Sequence, residues 1–207
     1  MNRVISSVGG RAPPRRKLRL PSGSHSIQEL RAIVRLRKTL LDDRRAWQQR
    51  IQAVLYHQGQ PAHPHLLTLD RREWLATLEL SPAGRQAIGL ALSMIERINE
   101  QLEPLDQQLI RYAQHQAGCR ALMQHYGIGP LTAVAILSEQ GDVRRFSSSR
   151  KGHSHSGLDI TVFASGAKRA PGKLSRQGPP LLRWALYEAA TCAARASSPD
   201  HAYYLEV

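Results

Sequence analysis

Two glycines one residue apart form the part of the sequence best suited to hold a phosphate group. Gly127 and Gly129 flank Ile128, precede Pro130, and lie between two apolar segments that favour helices. Glycine allows a tight turn and the close approach of another backbone, and proline suits the first turn of a helix. The exposed N–H groups at the start of that helix can bind a phosphate oxygen. A Gly-Lys-Ser/Thr sequence is missing from this segment, which excludes a P-loop.

The pattern resembles a helix-hairpin-helix nucleic-acid-binding motif. We therefore expect Gly127, Gly129 and Thr132 to contact the backbone of a nucleic acid. The alternative interpretation is an ordinary tight corner between two helices, in which the glycines serve packing alone.

A block of cationic side chains follows in a segment rich in Gly and Ser. Asp159 is the single acidic residue between positions 143 and 187, whereas the same span holds nine basic residues: Arg144, Arg145, Arg150, Lys151, Lys168, Arg169, Lys173, Arg176 and Arg183. Like charges at this density destabilise a fold unless a partner neutralises them. The block therefore predicts a surface that contacts phosphate groups. The alternative is a positive face that only keeps the protein soluble.

The overall composition agrees with a polyanionic partner and excludes several classes of protein. The 207 residues carry a formal net charge of +13 and only 5% aromatic side chains, which favours a helical core over a β-sandwich and nucleic acid as the partner. No apolar run approaches the ~18 residues of a membrane span, and the N-terminus has no apolar stretch of ~7–15 residues, so we expect no secretory signal. Cys119 and Cys192 are too few for a disulfide scaffold or a four-Cys zinc site. These features predict a cytoplasmic protein with two small, buried cysteines.

The predicted fold class is mostly α, with a long coiled-coil helical hairpin followed by a compact helical domain that contains the helix-hairpin-helix-like motif. Residues 1–25 hold six basic and no acidic side chains, and they predict a disordered basic arm. Residues 26–116 predict the hairpin, and residues 117–207 predict the compact domain.

The boundaries of the hairpin helices are indicated by capping signals. Ser26 with Glu29 forms a capping box, and the first helix should end near His57, before a run of Gly and Pro. A short helix is expected around residues 71–78. Ser81 followed by Pro82 marks the start of the second long helix.

The second long helix has an apolar seam that predicts a coiled coil. Its apolar residues alternate spacings of three and four: Ile88, Ala91, Ile95, Ile98, Leu102, Leu105, Leu109 and Tyr112. Pro104 should bend this helix. The two helices are expected to pack antiparallel within the chain, between chains, or both. This predicts a homo-oligomer or an assembly with a longer relative.

The order of motifs between residues 117 and 195 resembles the C-terminal domain of the bridge-RNA-guided insertion-sequence transposases of the IS-one-ten/one-sixteen type, which are related to the Piv invertase. The shared motifs are Gly127-Ile128-Gly129-Pro130, Gly141-Asp142, Arg145-Phe146-Ser147, Gly157-Leu158, Ser165-Gly166, Arg169, Gly172, Leu174-Ser175-Arg176, Gly178 and Leu182-Arg183-x-Ala185-Leu186-Tyr187. The sequence departs from the family at residues 151–156, where a Ser- and His-rich stretch replaces an apolar helix.

The resemblance implies that Ser165 attacks a scissile DNA phosphate and becomes transiently joined to the DNA. A serine hydroxyl needs a base or a positive setting to become a nucleophile. Lys168, Arg169, Lys173 and Arg176 are expected to clamp the phosphate and stabilise its developing charge, and Arg183 is expected to add a further nucleic-acid contact. His153 and His155 are candidate bases or metal ligands, but in a Ser-rich loop they are more often only solvated.

The resemblance also implies partners beyond this chain. In the family, four acidic residues of an N-terminal RNase-H-like domain bind Mg²⁺, and a guide RNA directs the reaction. We expect no cofactor or metal site in this chain, which lacks that acidic pattern and is therefore expected to be a truncated, catalytically impaired form. The alternatives are a non-catalytic nucleic-acid-binding module that dimerises with a full-length relative, and a structural coiled-coil protein. A base-excision glycosylase using Asp142 is disfavoured because no base pocket is evident.

Overall fold

The computed structural model describes residues 24–61, 63, 66–161, 164–165, 168–169 and 172–206. Its helices are α1 (Ser24–His57), α2 (Leu69–Thr77), α3 (Pro82–His115), α4 (Ala117–Leu122), α5 (Pro130–Gln140), α6 (Ser149–Ser156), α7 (Pro180–Ala193) and α8 (His201–Glu206), with one 3₁₀ turn at Val143–Arg145. Four short strands follow α6: β1 (Ile160–Thr161), β2 (Ala164–Ser165), β3 (Lys168–Arg169) and β4 (Lys173–Leu174). The predicted mostly α fold class is confirmed.

Two boundaries at the amino terminus differ from the prediction or fall outside the structure. The predicted basic arm, residues 1–25, lies outside the described residues apart from positions 24 and 25, which open α1. The helix therefore begins two residues before the predicted capping serine, Ser26.

Among the described helices, none combines the length and the apolar character that crossing a bilayer requires.

Helices α1 and α3 pack against each other as an antiparallel hairpin. Arg37 bonds Asp106 at 2.5 Å, and Arg44, farther along α1, bonds Asn99 at 3.1 Å. Residue numbers that increase along α1 therefore meet decreasing numbers along α3, as in an antiparallel pair. The predicted apolar seam is buried at Ile88, Ala91, Ile95, Ile98, Leu102, Leu105 and Leu109. The last position differs, because Ala113 takes the buried place and Tyr112 is only partly buried. The predicted pairing within the chain is confirmed, whereas supercoiling and pairing between chains stay predictions.

The predicted signals of α3 are confirmed at its start. The Ser81 hydroxyl accepts a hydrogen bond from the Gly84 N–H at 3.1 Å, and Pro82 is the first helical residue. The helix stays continuous through Pro104, from Pro82 to His115, and the predicted bend stays a prediction. Proline removes one backbone hydrogen bond, and the exposed position of Pro104 keeps its ring out of the core.

The C-terminal helices are arranged around α5. This helix buries Ala133, Val134, Ala135 and Ile136, and it packs against α1, α3, α4 and α7. One continuous apolar cluster joins residues of the hairpin to residues of α5 and α7, including Leu30, Leu109, Ile136 and Leu182. The hairpin and the C-terminal helices therefore share a core, which fixes their relative orientation.

The Ser- and His-rich stretch before Gly157 is a helix, not the loop that the sequence predicted. The Ser148 hydroxyl accepts from the Lys151 N–H at 3.4 Å at the start of α6, and Gly157 ends the helix with a left-handed φ of 72°. A serine N-cap and a glycine just after the last turn are sufficient local signals for a short helix. His153 and His155 therefore lie on α6.

Candidate nucleic-acid site

Ser165 lies on a small β structure that we call the β finger, residues 157–178. Its two antiparallel strand pairs are nested, because β1 pairs with β4 and β2 pairs with β3. In the β2–β3 pair the Cα of Ser165 is opposite that of Lys168, and Ala164 is opposite Arg169. The fold thus brings the predicted nucleophile and two of its predicted cations onto one strand pair. Lys173 is exposed on β4, opposite Thr161.

The base of the β finger is tightly closed where its two ends meet. Gly157 has a left-handed φ, and a Cβ added to it would lie 2.5 Å from the Gly178 nitrogen. A Cβ added to Gly178 would lie 2.2 Å from the carbonyl oxygen of His155. Neither position can take a side chain without a shift of backbone, so both glycines are required by close packing.

Arg183 bonds the two ends of the β finger to each other. Its Nη1 donates to the carbonyl oxygen of Gly178 and, at 3.5 Å, to that of Ser156. The side chain is half-buried on α7. The structure therefore gives Arg183 a positioning role through Nη1, and its predicted contact with nucleic acid stays a prediction.

Asp159, the single acid of the cationic block, also stabilises the β finger. It accepts a hydrogen bond from the Ser175 hydroxyl at 2.5 Å, while the Ser175 N–H donates to the Asp159 carbonyl at 2.9 Å. The next residue, Arg176, has a left-handed φ of 54° and an exposed side chain. Its N–H donates to the Gly157 carbonyl at 3.0 Å, which compensates a backbone conformation that costs about 1–2 kcal/mol.

Five basic side chains of the cationic block are exposed without a carboxylate partner among the described residues. They are Arg144, Arg150, Lys151, Lys173 and Arg176. Arg145 is also exposed, but it donates to the Gln140 carbonyl at 2.8 Å and to the Nε2 of His155 at 3.0 Å. This region therefore presents positive charge that no carboxylate among the described residues neutralises.

The glycine pair lies at the corner between α4 and α5, and its two members face different surroundings. Gly127 has a φ of 83°, and a Cβ added to it would lie 2.6 Å from the Cβ of Cys192 on α7. Packing inside the protein is thus a sufficient reason for Gly127. Gly129 is exposed at the N-cap of α5, with nothing within 4 Å of an added Cβ. Thr132 is half-buried in the first turn of α5, and contact of these residues with nucleic acid stays a prediction.

Sequence reasoning missed a buried ion pair between α1 and α5. The side chain of Glu139 is only 1% exposed. Arg35 donates to both of its carboxylate oxygens, at 2.8 and 3.0 Å, and the Nε of Arg31 lies 3.7 Å from Oε2. The hydrogen bond to Glu139 raises the pKa of Arg35 above its usual value. The available signal was one Glu in the apolar α5 segment together with two Arg four residues apart on α1.

His155 and the two cysteines lie in contacts within the protein. The Nε2 of His155 accepts from Arg145, and its ring lies 5.3 Å from that of Phe146. Within the described part of the chain, no group of three His, Cys, Asp or Glu side chains is arranged to hold a metal ion. Cys119 is buried as predicted, and burial raises its pKa to about 11. Cys192 is half-buried.

Comparison with known proteins identifies the C-terminal segment as similar to transposases. Residues 119–205 match the model of the Transposase IS116/IS110/IS902 family. A probable family 20 transposase of Pseudomonas aeruginosa is 26% identical over 101 residues, which are 49% of this chain and 30% of that protein. The transposase for insertion sequence element IS1111A of Coxiella burnetii is 26% identical over 180 residues, 81% of this chain and 47% of that protein.

The resemblance to this transposase family is thereby confirmed for residues 119–205. The matched segments cover less than half the length of both curated relatives. The guide RNA and the acidic metal-binding domain stay predictions.

Proposed function

We propose that this chain is a DNA transposase component that binds DNA and cleaves and rejoins its strands through Ser165. The observation that carries the proposal is the match of residues 119–205 to a transposase family, because this segment contains the whole β finger. The pairing of Ser165 with Lys168 gives it geometric support.

In the proposed reaction the Ser165 hydroxyl oxygen attacks a DNA phosphorus atom. The new Oγ–P bond forms as a P–O bond of the strand breaks, and the released strand end leaves as a hydroxyl that takes up a proton. The serine proton passes to a base. Attack by the hydroxyl of a second strand end reverses these steps and frees Ser165. The negative charge that develops on the phosphate in the transition state is stabilised by Lys168, Arg169, Lys173 and Arg176.

The charge of the protein supports DNA as the substrate. The net charge is +13, and the exposed cations of the block lack carboxylate partners among the described residues. Displacement of counterions from DNA by such side chains gives binding that weakens steeply with salt.

The acidic residues that the structure describes do not fit a Mg²⁺ site, and no step above passes through a metal. Glu139 is bound by Arg35, and Asp159 accepts from Ser175. Mg²⁺ requires several oxygen ligands around one point. We propose that the acidic residues of a metal-binding domain outside the described residues complete the site, and that guide RNA and DNA assemble on the combined protein.

The test is a search for a covalent protein–DNA adduct. The chain is mixed with Mg²⁺, labelled element-end DNA, guide RNA and a full-length relative whose own matching serine is replaced by alanine. We expect a labelled adduct of the size of this chain on a denaturing gel. Ser165→Ala should abolish it, whereas Ser147→Ala, at an exposed serine outside the β finger, should not.

A non-catalytic nucleic-acid-binding module is the second candidate, and the exposed cations favour it equally because they act without Ser165. It predicts salt-sensitive DNA binding that is unchanged in Ser165→Ala, with no adduct in any mixture. Absence of both adduct and DNA binding would contradict both candidates.

A further inference from the structure

A cavity lies between α1, α6 and the residues that lead into α7, and none of its lining residues is assigned to DNA chemistry above, although Gln177 directly follows Arg176. It has a volume of about 500 Å³ and is lined by Arg35, Ser154, His155, Gln177, Gly178 and Pro179. This volume is within the range of ligand-binding clefts, and the cavity is widely open to solvent. None of these lining residues is acidic, and four of them carry side chains that can donate hydrogen bonds.

The guanidinium group of Arg35, which lines this cavity, is held in place by Glu139. Arg35 donates through Nε and Nη2 to Glu139, which leaves its Nη1 donors unassigned, and its side chain is 58% exposed. Arg31 is also beside Glu139. Two guanidinium groups thus surround one carboxylate, and the local charge stays positive. An arginine held in this way loses little freedom when it binds a further anion.

On the other side of the cavity, Gly178 and His155 are held by contacts within the protein. Gly178 is pressed against the His155 backbone, and Arg183 bonds the carbonyl oxygens of Gly178 and Ser156. The ring of His155 is held through Nε2 by Arg145, so a neutral His155 carries its proton on Nδ1. The exposed side chains of Ser154 and Gln177 add uncharged donors.

We infer that this cavity is a phosphate-binding site, with Arg35 as its cationic anchor and Ser154, His155 and Gln177 as further donors. A tetrahedral anion with several acceptor oxygens can accept hydrogen bonds from an arginine and from the uncharged donors that line the same cavity. The phosphate has two possible sources, a nucleic-acid backbone or a free phosphate compound. The inference does not depend on Ser165 chemistry.

The test is calorimetric titration of the full chain with inorganic phosphate at low ionic strength. Gln177→Glu places a negative charge in the cavity without removing a buried contact, and we expect phosphate affinity to fall at least about tenfold. Ser154→Glu should have the same effect. Gln101→Glu, at an exposed site on α3, is the charge-matched control and should bind phosphate as the unmodified chain does.

A second titration distinguishes the two sources. If a short DNA duplex displaces phosphate, and if Gln177→Glu also weakens binding of the duplex, the site takes a nucleic-acid backbone. If phosphate still binds in the presence of saturating duplex, the site takes a free phosphate compound. The inference is overturned if the unmodified chain binds no phosphate or if Gln177→Glu and Gln101→Glu bind it equally. The adduct experiment with Ser165→Ala tests the proposed function separately.

Discussion

Arg35 on α1 holds both carboxylate oxygens of Glu139 on α5, at 2.8 and 3.0 Å. The two residues differ in their surroundings, because the Glu139 side chain is 1% exposed and that of Arg35 is 58% exposed. The pair therefore joins the helical hairpin to the C-terminal helices through the carboxylate of Glu139, which is shielded from water.

Loss of Arg35 should destabilise the protein more than loss of the charge on Glu139. Arg35→Ala leaves a buried carboxylate with only Arg31 beside it, and we expect about 3 kcal/mol less stability in urea unfolding. Glu139→Gln keeps an acceptor and should cost less, about 1–2 kcal/mol. If both variants unfold at the urea concentration of the unmodified chain, the pair is not a structural link.

The two glycines of the α4–α5 corner should respond differently to alanine. Gly127→Ala combines a positive φ with a close contact to Cys192, so we expect a loss of at least about 2 kcal/mol in unfolding free energy. Gly129→Ala has open space and should cost less than about 1 kcal/mol.

Binding measurements on Gly129→Ala then separate the two interpretations of the corner. Weaker DNA binding by a variant of nearly normal stability favours the helix-hairpin-helix interpretation. Unchanged binding favours a simple packing corner.

Arg183 should affect the order of the β finger. Arg183→Met keeps most of the apolar side chain but removes donors to two carbonyls, and we expect faster amide hydrogen exchange in residues 157–178. Exchange in α3 should stay slow, which provides an internal control. Exchange that rises equally in both regions would indicate general destabilisation and would contradict a local role.

Lys173 and Arg176 should contribute to DNA binding through charge. Each change to alanine should reduce the slope of log affinity against log salt by about one. Arg97→Ala, at an exposed site on α3, makes the same change in net charge and serves as the control. Equal slopes for all three variants would place the DNA elsewhere on the protein.

Burial of Cys119 predicts a loss of stability at high pH. Its thiol has a folded pKa of about 11 against a reference value of 9.0, so the contribution of the protonated thiol is complete below pH 9 and is lost as the pH rises towards 11. The free energy of unfolding should fall over this window. In Cys119→Ala the decline should be smaller, as urea titrations at pH 8 and pH 10.5 can measure.

The long helices were predictable because local signals agree with the core. Ser81 and Pro82 start α3 where the sequence indicates, and the apolar period of three and four marks its buried face. Arg35 and Glu139 could not be paired in this way, because their contact joins residues 104 positions apart. The lone Glu of α5 and the two Arg four residues apart on α1 are visible in the sequence, but the packing of the helices decides that they pair.

The candidate site was predictable in part. The sequence identified the cationic block, and the structure confirms exposure for Lys173 and Arg176. The sequence did not reveal that Arg183 bonds the ends of the β finger, because an arginine that binds carbonyl oxygens looks the same in a sequence as one that binds phosphate. The prediction of a loop around His155 was wrong because Ser148 and Gly157 act as helix caps.

The core shared by the hairpin and the C-terminal helices has a mechanical consequence. Each long helix has 34 residues, or roughly 50 Å at 1.5 Å per residue. A small tilt at the shared core is therefore magnified into a large displacement at the far tip, near α2. A force applied at that tip would therefore be transmitted along α1 and α3 to the apolar core that also holds α5 and α7.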